Sequence, residues 1–201
     1  MLPLGLSAHA GNWRVFTARK AEPAFLAFAE KIYTRDNYIC QFCGFQAKEF
    51  QEIINLDQNY HNNKVSNLVT ACIFCTQCFF LDTVGVGDFG GGVLIYLPEI
   101  AQTQLNSFCH VLFCAVTNDT GYKNSAQAIY RSLKFRSQSV EEQFGEGLST
   151  PSVFGQMLIE NKYDDAKIAS LVRDIRLLPS RGRFKVQIER WASAALSEMS
   201  S

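Results

Sequence analysis

Apolar residues recur at helical spacing through much of the second half of the chain. After Pro98, the positions Ala101, Leu105, Phe108 and Leu112 lie three or four residues apart, and the following residues are apolar on almost every side. This pattern predicts a buried helix whose first turn contains Pro98. Similar spacing predicts further helices over 124–144, from Thr150-Pro151 through Ile159, over 166–178, and through Phe184, Ile188, Trp191 and Ala195. The stripe of the last helix faces either the core or a partner.

A short apolar run, Val93–Leu97, predicts a buried strand. It follows the glycine-rich segment Val84–Gly92, which lacks the Gly-Lys-Ser/Thr continuation of a phosphate-binding loop. We therefore interpret that segment as a flexible turn before the strand.

In the first half of the chain, short apolar runs predict strands as well as a helix. Tyr38-Ile39 and Ile53–Leu56 have strand character and are expected to pair with each other. The segment 58–64 is rich in turn residues, and Ser66 or Asn67 is expected to cap a helix that follows. The sequence thus predicts an α+β fold, with a ββα module attached to a mostly helical body.

Seven cysteines carry the strongest chemical signal. Cys40 and Cys43 form one C-x-x-C pair, Cys72 and Cys75 form a second, and 28 residues separate the pairs. Each pair directs two thiolates at one point, and two pairs supply the tetrahedral sulfur set that Zn²⁺ prefers. The spacing therefore predicts a structural zinc ion held by these four residues. Small buried thiols without metal and an Fe–S cluster are the alternatives, and neither explains the paired spacing as well.

The remaining cysteines have less distinctive positions. Cys78 extends the second pair to C-x-x-C-x-x-C, so it either replaces Cys75 as a ligand or faces the core, and the core is preferred. Cys109 and Cys114 lie in an apolar run and are expected to be inert. The cysteine count is odd and Met1–Leu6 lacks the charged and apolar regions of a signal peptide, so we expect an intracellular protein without a disulfide framework.

Composition and charge exclude several classes of protein. The chain is 47% hydrophobic with zero net charge, and it lacks the apolar run of about 18 residues that a membrane-spanning helix needs. Dedicated nucleic-acid binders usually carry a basic excess. The segment 36–84 sums to −3, whereas 123–136 sums to +4. This basic segment is either a solvated helix face or a contact for an anionic partner such as a nucleic acid.

The segment Arg35–Cys78 resembles the cysteine-containing subclass of HNH nucleases. The resemblance rests on Arg-Asp-x-Tyr-x-Cys-x-x-Cys-Gly at 35–44 and on Asn-Leu-Val-Thr-x-Cys-x-x-Cys at 67–75. In that family, a histidine at the end of the second strand is the general base, and a later histidine helps to hold the catalytic metal.

The resemblance implies that this chain keeps the zinc-bound fold of the HNH nucleases and lacks their catalytic histidines. Asp57 matches the acidic residue before the base, but the base position holds Gln58 and the later histidine position holds Thr76, while the structural Asn67 is retained. An amide does not accept a proton near neutral pH. His61 is the nearby imidazole, and it is either a solvent-facing loop residue or a substitute base acting with Asp57 in a metal-dependent endonuclease.

A narrower resemblance comes from Gly91–Ile100, which reads Gly-Gly-Val-Leu-Ile-Tyr-Leu-Pro-Glu-Ile. With the degenerate module and the chain length, this segment resembles the IcmJ/DotN family of type IVB (Dot/Icm) secretion systems. The resemblance implies a non-catalytic zinc-containing scaffold of the coupling complex, in the cytoplasm at the face of the inner membrane. It implies that the chain binds the C-terminal tail of the coupling ATPase DotL and, with the adaptors IcmS and IcmW, helps to recruit effectors.

We therefore divide the chain into three regions. Residues 1–34 are expected to pack on the body, residues 35–84 form the HNH-like zinc module, and residues 85–201 form a mainly helical region that is compact with the module. A metal-dependent endonuclease and a non-cleaving nucleic-acid binder are the alternative functions. No catalytic residue and no nucleic-acid partner are expected under the preferred interpretation.

Overall fold

The computed structural model describes residues 1–161 and 164–199, and it confirms an α+β fold. The helices are α1 (Asn12–Lys20), α2 (Pro23–Arg35), α3 (Ile73–Thr76), α4 (Gln102–Thr117), α5 (Lys123–Phe135), α6 (Ser137–Phe144), α7 (Pro151–Glu160), α8 (Asp165–Val172) and α9 (Lys185–Met199). The strands are β1 (Gln51–Asn55), β2 (Leu68–Cys72), β3 (Gly92–Tyr96) and β4 (Ile175–Pro179). Residues 162–163 and 200–201, part of the predicted region 85–201, lie outside the described residues. Within the described ranges, every helix is too short or too polar to cross a membrane.

The strands form two small antiparallel sheets in the described part of the chain. In the first sheet, β1 pairs with β2 so that Gln51 lies opposite Cys72. In the second, β3 pairs with β4 so that Gly92 lies opposite Pro179. The first sheet positions one cysteine pair, and the second joins segments that are far apart in the sequence.

The prediction of a helix that begins at Ser66 or Asn67 is wrong over Leu68–Cys72, which form a strand. A single 3₁₀ turn over Val65–Asn67 leads into strand β2, and α3 begins only at Ile73. Every residue of β2 is buried, and its neighbour β1 offers backbone groups to pair with. Burial on both faces favours an extended strand for such an apolar segment, whatever the local helix signals predict.

The strand pairing predicted for the module is also corrected. Ile39 makes only an isolated bridge to Gln46, whereas the strand predicted near Ile53–Leu56 pairs with β2. The two strands and the short helix that follow one another in the structure are therefore β1, β2 and α3.

Several predicted helices have different bounds. The helix α4 starts four residues after Pro98, at Gln102, where the Gln104 side chain accepts a hydrogen bond from the Ala101 N–H at 2.8 Å. The single helix predicted over 124–144 is broken at Arg136 into α5 and α6. The helix predicted over 166–178 ends at Val172, because the apolar residues that follow pair with β3 as strand β4. The predictions of strand β3, of α7 with proline at its start, and of the last helix are confirmed.

The largest apolar cluster contains residues of both the cysteine segment and the helical region. Phe74 beside the second cysteine pair contacts Phe113 of α4 and Phe184 before α9, with ring centroids 5.8 and 4.9 Å apart. Trp191 of α9 lies edge-on to Phe74 at 5.6 Å. The apolar stripe of the last helix therefore faces the core over this part of its length.

A second cluster lies beneath α7. Phe154 and Leu158 pack there with Cys78 and Leu81. Gly155 of α7 allows this close approach, because a Cβ at that position would lie 2.3 Å from the backbone nitrogen of Asp82.

Candidate metal centre

The two cysteine pairs meet at one buried point. The sulfur atoms of Cys40, Cys43, Cys72 and Cys75 all lie within 4.8 Å of one another, and each side chain is at most 4% exposed. The Cys43 and Cys72 sulfur atoms are 3.6 Å apart, and all seven cysteines are free thiols. A zinc ion bonded to four sulfur atoms at about 2.3 Å gives sulfur–sulfur separations of about 3.8 Å. The cluster therefore has the composition and the size that a tetrahedral metal ion needs.

The first pair lies on a tight turn after α2. The Gly44 N–H donates to the Cys40 carbonyl at 2.9 Å, and the Cys40 N–H donates to the Phe45 carbonyl at 2.8 Å. Gly44 has a φ of 78°, a left-handed conformation that glycine adopts without strain. The Gln41 N–H donates to the Thr70 carbonyl of β2 at 2.9 Å, so this backbone bond fixes the first pair against the strand that carries the second.

The second pair lies where β2 ends and α3 begins. Cys72 is the last residue of the strand, and Cys75 follows one helical turn later. Both thiols are fully buried, and burial raises the pKa of each well above its ordinary value. Buried thiols of this kind become thiolates only when a cation compensates their charge.

Two polar side chains of α4 also reach the cluster. The Asn106 amide nitrogen lies 3.3 Å from the Cys75 sulfur, and His110 Nε2 lies 3.4 Å from the Cys72 sulfur. Burial lowers the pKa of His110 to about 3, so its imidazole is neutral near neutral pH. Sequence reasoning missed both residues. The available signal was the polar series Gln102, Asn106 and His110, spaced four residues apart in a helix that the sequence predicts to be buried.

Cys78 lies outside the group of four. Its thiol belongs to the cluster beneath α7 and donates to the Phe74 carbonyl at 3.5 Å. Cys109 is buried in α4, and the half-buried Cys114 accepts a hydrogen bond from the Asn118 amide at 3.5 Å. The geometry thus unites the four predicted cysteines without Cys78, while their role as zinc ligands stays a prediction.

The positions that match the HNH catalytic histidines are bound to other parts of the chain. Gln58 accepts a hydrogen bond from the Ser7 hydroxyl at 2.9 Å through its side chain and one from the Asn12 amide at 3.0 Å through its carbonyl. Thr76 is 1% exposed, and its hydroxyl donates to the Cys72 carbonyl at 3.1 Å. Thr76 is therefore enclosed, and Gln58 is tied to residues before and at the start of α1.

The other polar residues carried over from the HNH resemblance lie in an exposed loop. Asp57 accepts hydrogen bonds from the amides of Asn62 and Asn67 at 2.6 and 2.8 Å and from the Asn59 N–H at 2.9 Å. The hydrogen bond from Asn62, with those from Asn67 and Asn59, lowers the pKa of Asp57. His61 is exposed in the same loop. Asp57 therefore organises the loop.

A curated relative aligns with nearly the whole chain. The chain is 60% identical over 197 residues to "Type 4 apparatus protein DotN" of Legionella pneumophila subsp. pneumophila (strain Philadelphia 1), an alignment that covers 98% of this chain and 92% of that protein. This chain belongs to the DotN family. Membership in the DotN family confirms the narrower resemblance that the sequence predicted from Gly91–Ile100. No family model matches the chain.

Proposed function

We propose that this protein is a non-catalytic, zinc-containing scaffold subunit of a type IVB secretion coupling complex. The observation that carries the proposal is the 60% identity to a type 4 apparatus protein over 98% of the chain. Identity at this level over nearly the whole chain supports a shared fold and a shared role. The protein acts in the cytoplasm, at the face of the inner membrane where its complex assembles.

Within that complex, the protein binds the C-terminal tail of the coupling ATPase DotL. Through the same assembly it works with the adaptors IcmS and IcmW to present effectors to the channel. Family membership supports these partners, and the sequence resemblance implied them.

Zinc is the metal that the cysteine cluster fits best. Four sulfur donors select zinc or an Fe–S cluster over the harder cations. Structural zinc sites are closed, with four protein ligands, and here all four sulfur atoms are buried beneath the surrounding apolar side chains. Zinc bound in this way stabilises the fold and does not present an open position for chemistry.

A non-catalytic scaffold agrees with the residues found where HNH nucleases have their catalytic histidines. Gln58 is held by Ser7 and Asn12, and Thr76 is buried against the Cys72 backbone. The basic segment 123–136 also loses free charge, because Lys123 pairs with Asp119 at 2.9 Å and Arg136 pairs with Glu99 at 2.8 Å. Both observations favour the scaffold over the nuclease and over the nucleic-acid binder.

Co-purification tests the proposed function. The chain is expressed with the C-terminal tail of the coupling ATPase from its own organism and examined by size exclusion with metal analysis. We expect a stable complex and about one zinc ion per chain. A tail of the same composition in scrambled order is the control.

A zinc-loaded chain that elutes alone with both tails would contradict the proposed partner. Nicking of supercoiled plasmid with magnesium or manganese, lost in His61→Ala, would contradict the proposal that the protein is not an enzyme.

A further inference from the structure

The buried face of α4 carries a polar pair that the secretion role does not explain. Asn106 is 0% exposed and His110 is 8% exposed, in a helix whose other buried neighbours are mostly apolar. A buried polar group without a hydrogen-bond partner destabilises a fold, so each group needs a partner. Their nitrogen atoms lie 3.3 and 3.4 Å from cysteine sulfur atoms, which are therefore those partners.

The Asn106 amide has a fixed orientation. Its oxygen accepts a hydrogen bond from the Gln102 amide at 2.9 Å, which directs its nitrogen towards the Cys75 sulfur. Gln102 is held in turn by β4, because it donates to the Leu177 carbonyl at 2.9 Å and accepts from the Leu177 N–H at 2.7 Å. A continuous path of hydrogen bonds therefore links the β3–β4 sheet to the cysteine cluster.

The His110 ring is fixed by aromatic packing. It stacks on Phe45 with ring centroids 3.6 Å apart and on Phe74 at 4.3 Å, while Trp191 meets its edge at 5.1 Å. His110 is absent from the group whose ligand atoms all lie within 4.8 Å of one another. The ring is thus oriented towards one sulfur atom and is not placed to join the four donors around a shared ion.

The charge of a loaded site explains why donors belong here. Four thiolates and one Zn²⁺ leave two net negative charges in a buried apolar pocket, and burial of charge is unfavourable unless hydrogen bonds disperse it. The Asn106 amide nitrogen and His110 Nε2 both face sulfur atoms of the second pair, whereas backbone bonds shape the turn of the first.

We propose that Asn106 and His110 are positioning residues for the metal, each donating an N–H···S hydrogen bond to a zinc thiolate, Cys75 and Cys72 respectively. They raise zinc affinity and connect the metal site to α4 and the β3–β4 sheet. This proposal rests on the zinc site of the proposed function and does not depend on the protein partners.

Two variants remove the donors and keep the shape of each side chain. Asn106→Leu replaces an amide by an apolar group of similar size, and His110→Phe preserves the stacking on Phe45 and Phe74. We expect zinc affinity, measured by competition with a chromophoric chelator, to fall about 10–100-fold in each, because such partners of metal ligands typically contribute that much. Cys109→Ala, a buried change on the same helix without a donor, is the matched control and should keep the affinity of the wild type.

Cobalt substitution separates a hydrogen-bonding role from a structural one. Loss of an N–H···S bond raises the energy of the sulfur lone pairs, so the thiolate-to-cobalt charge-transfer band should shift to lower energy in both donor variants and not in Cys109→Ala. The d–d bands should stay those of a tetrahedral four-sulfur site. If His110→Phe does not fold, Asn106→Leu tests the same proposal at the other sulfur atom.

Three results would overturn the proposal. Affinity and charge-transfer energy equal to those of Cys109→Ala in both variants would show that the contacts have no influence on the metal. A change of the d–d bands in His110→Phe would show that His110 is itself a ligand. A wild-type chain that binds no zinc would contradict the metal site itself, which distinguishes failure of the proposed function from failure of the hydrogen bonds.

Discussion

The cysteine cluster and the loop 57–67, which we call the polar loop, are organised in opposite ways. The cluster is buried, and its polar contacts come from distant segments, such as Asn106 and His110 of α4. The polar loop is mostly exposed, and asparagines within it satisfy its Asp57 carboxylate. The cluster has the composition and spacing of a metal site, whereas the carboxylate of the loop takes its hydrogen bonds from neighbouring asparagines.

This difference separates a candidate ligand site from a segment that is organised by its own side chains. Four buried sulfur donors within 4.8 Å of one another could hold a metal ion. The polar loop stands where the resemblance places the general base, yet Gln58 there is held by Ser7, which precedes α1, and by Asn12, the first residue of α1. These hydrogen bonds shape the surface next to β1.

Arg19 of α1 joins the polar loop to the first sheet. It is 4% exposed, and its guanidinium donates to the Ile53 carbonyl at 2.9 Å, to the Asn63 amide oxygen at 3.2 Å and to Asn55. It also lies 4.2 Å from the centre of the Phe25 ring. Burial lowers the pKa of Arg19 to about 10, so the residue stays charged at neutral pH.

The largest effect is expected from loss of the metal. Cys72→Ser should abolish zinc binding and unfold the module, because structural zinc contributes roughly 10 kcal/mol or more, comparable with the whole stability of a domain. Metal analysis and thermal unfolding measure both effects, and a strong chelator should reproduce them in the wild type.

The matched control is Cys78→Ala, which alters a buried thiol outside the group of four. It should keep one zinc ion per chain and lose only about 1 kcal/mol of stability. If Cys78→Ala lost zinc while Cys75→Ser retained it, Cys78 and not Cys75 would be the fourth zinc ligand. A metal-free Cys72→Ser protein with normal stability would show that a metal at the cluster does not stabilise the fold, and the contrast with the loop would no longer hold.

An intermediate effect is expected at the junction of the two regions. Arg19→Ala should lower the free energy of unfolding by about 3 kcal/mol, since it leaves buried acceptors at Asn55 and Ile53 without a donor and opens a cavity beside Phe25. Denaturant unfolding measures the change. Arg14→Ala on the exposed side of the same helix should change stability by about 0.5 kcal/mol or less, and an equal loss in both variants would show that Arg19 has no special role.

The smallest effects are expected inside the polar loop. Asp57→Ala should lower the free energy of unfolding by about 1 kcal/mol or less, because its hydrogen bonds are open to solvent. His61→Ala should be nearly neutral, with a change below about 0.5 kcal/mol. Chemical denaturation of both variants checks this order, and a larger loss in His61→Ala than in Asp57→Ala would reverse the assigned roles.

Sequence alone was a good guide where the signal is local. Two C-x-x-C turns predicted which four cysteines approach one another, and Pro151 marked the start of α7. The run before Pro98 predicted β3. In each case the determining contacts lie within a few residues, so the chain covalently limits where the side chains can go.

The tertiary structure decided the rest. Leu68–Cys72 became a strand because β1 lay beside it, and Ile175–Pro179 became a strand because β3 did. Packing of α4 on the cluster also selected Asn106 and His110 as neighbours of sulfur atoms more than 30 positions earlier. Backbone pairing and N–H···S contacts between remote segments depend on which surfaces are buried together, and local spacing carries no record of that choice.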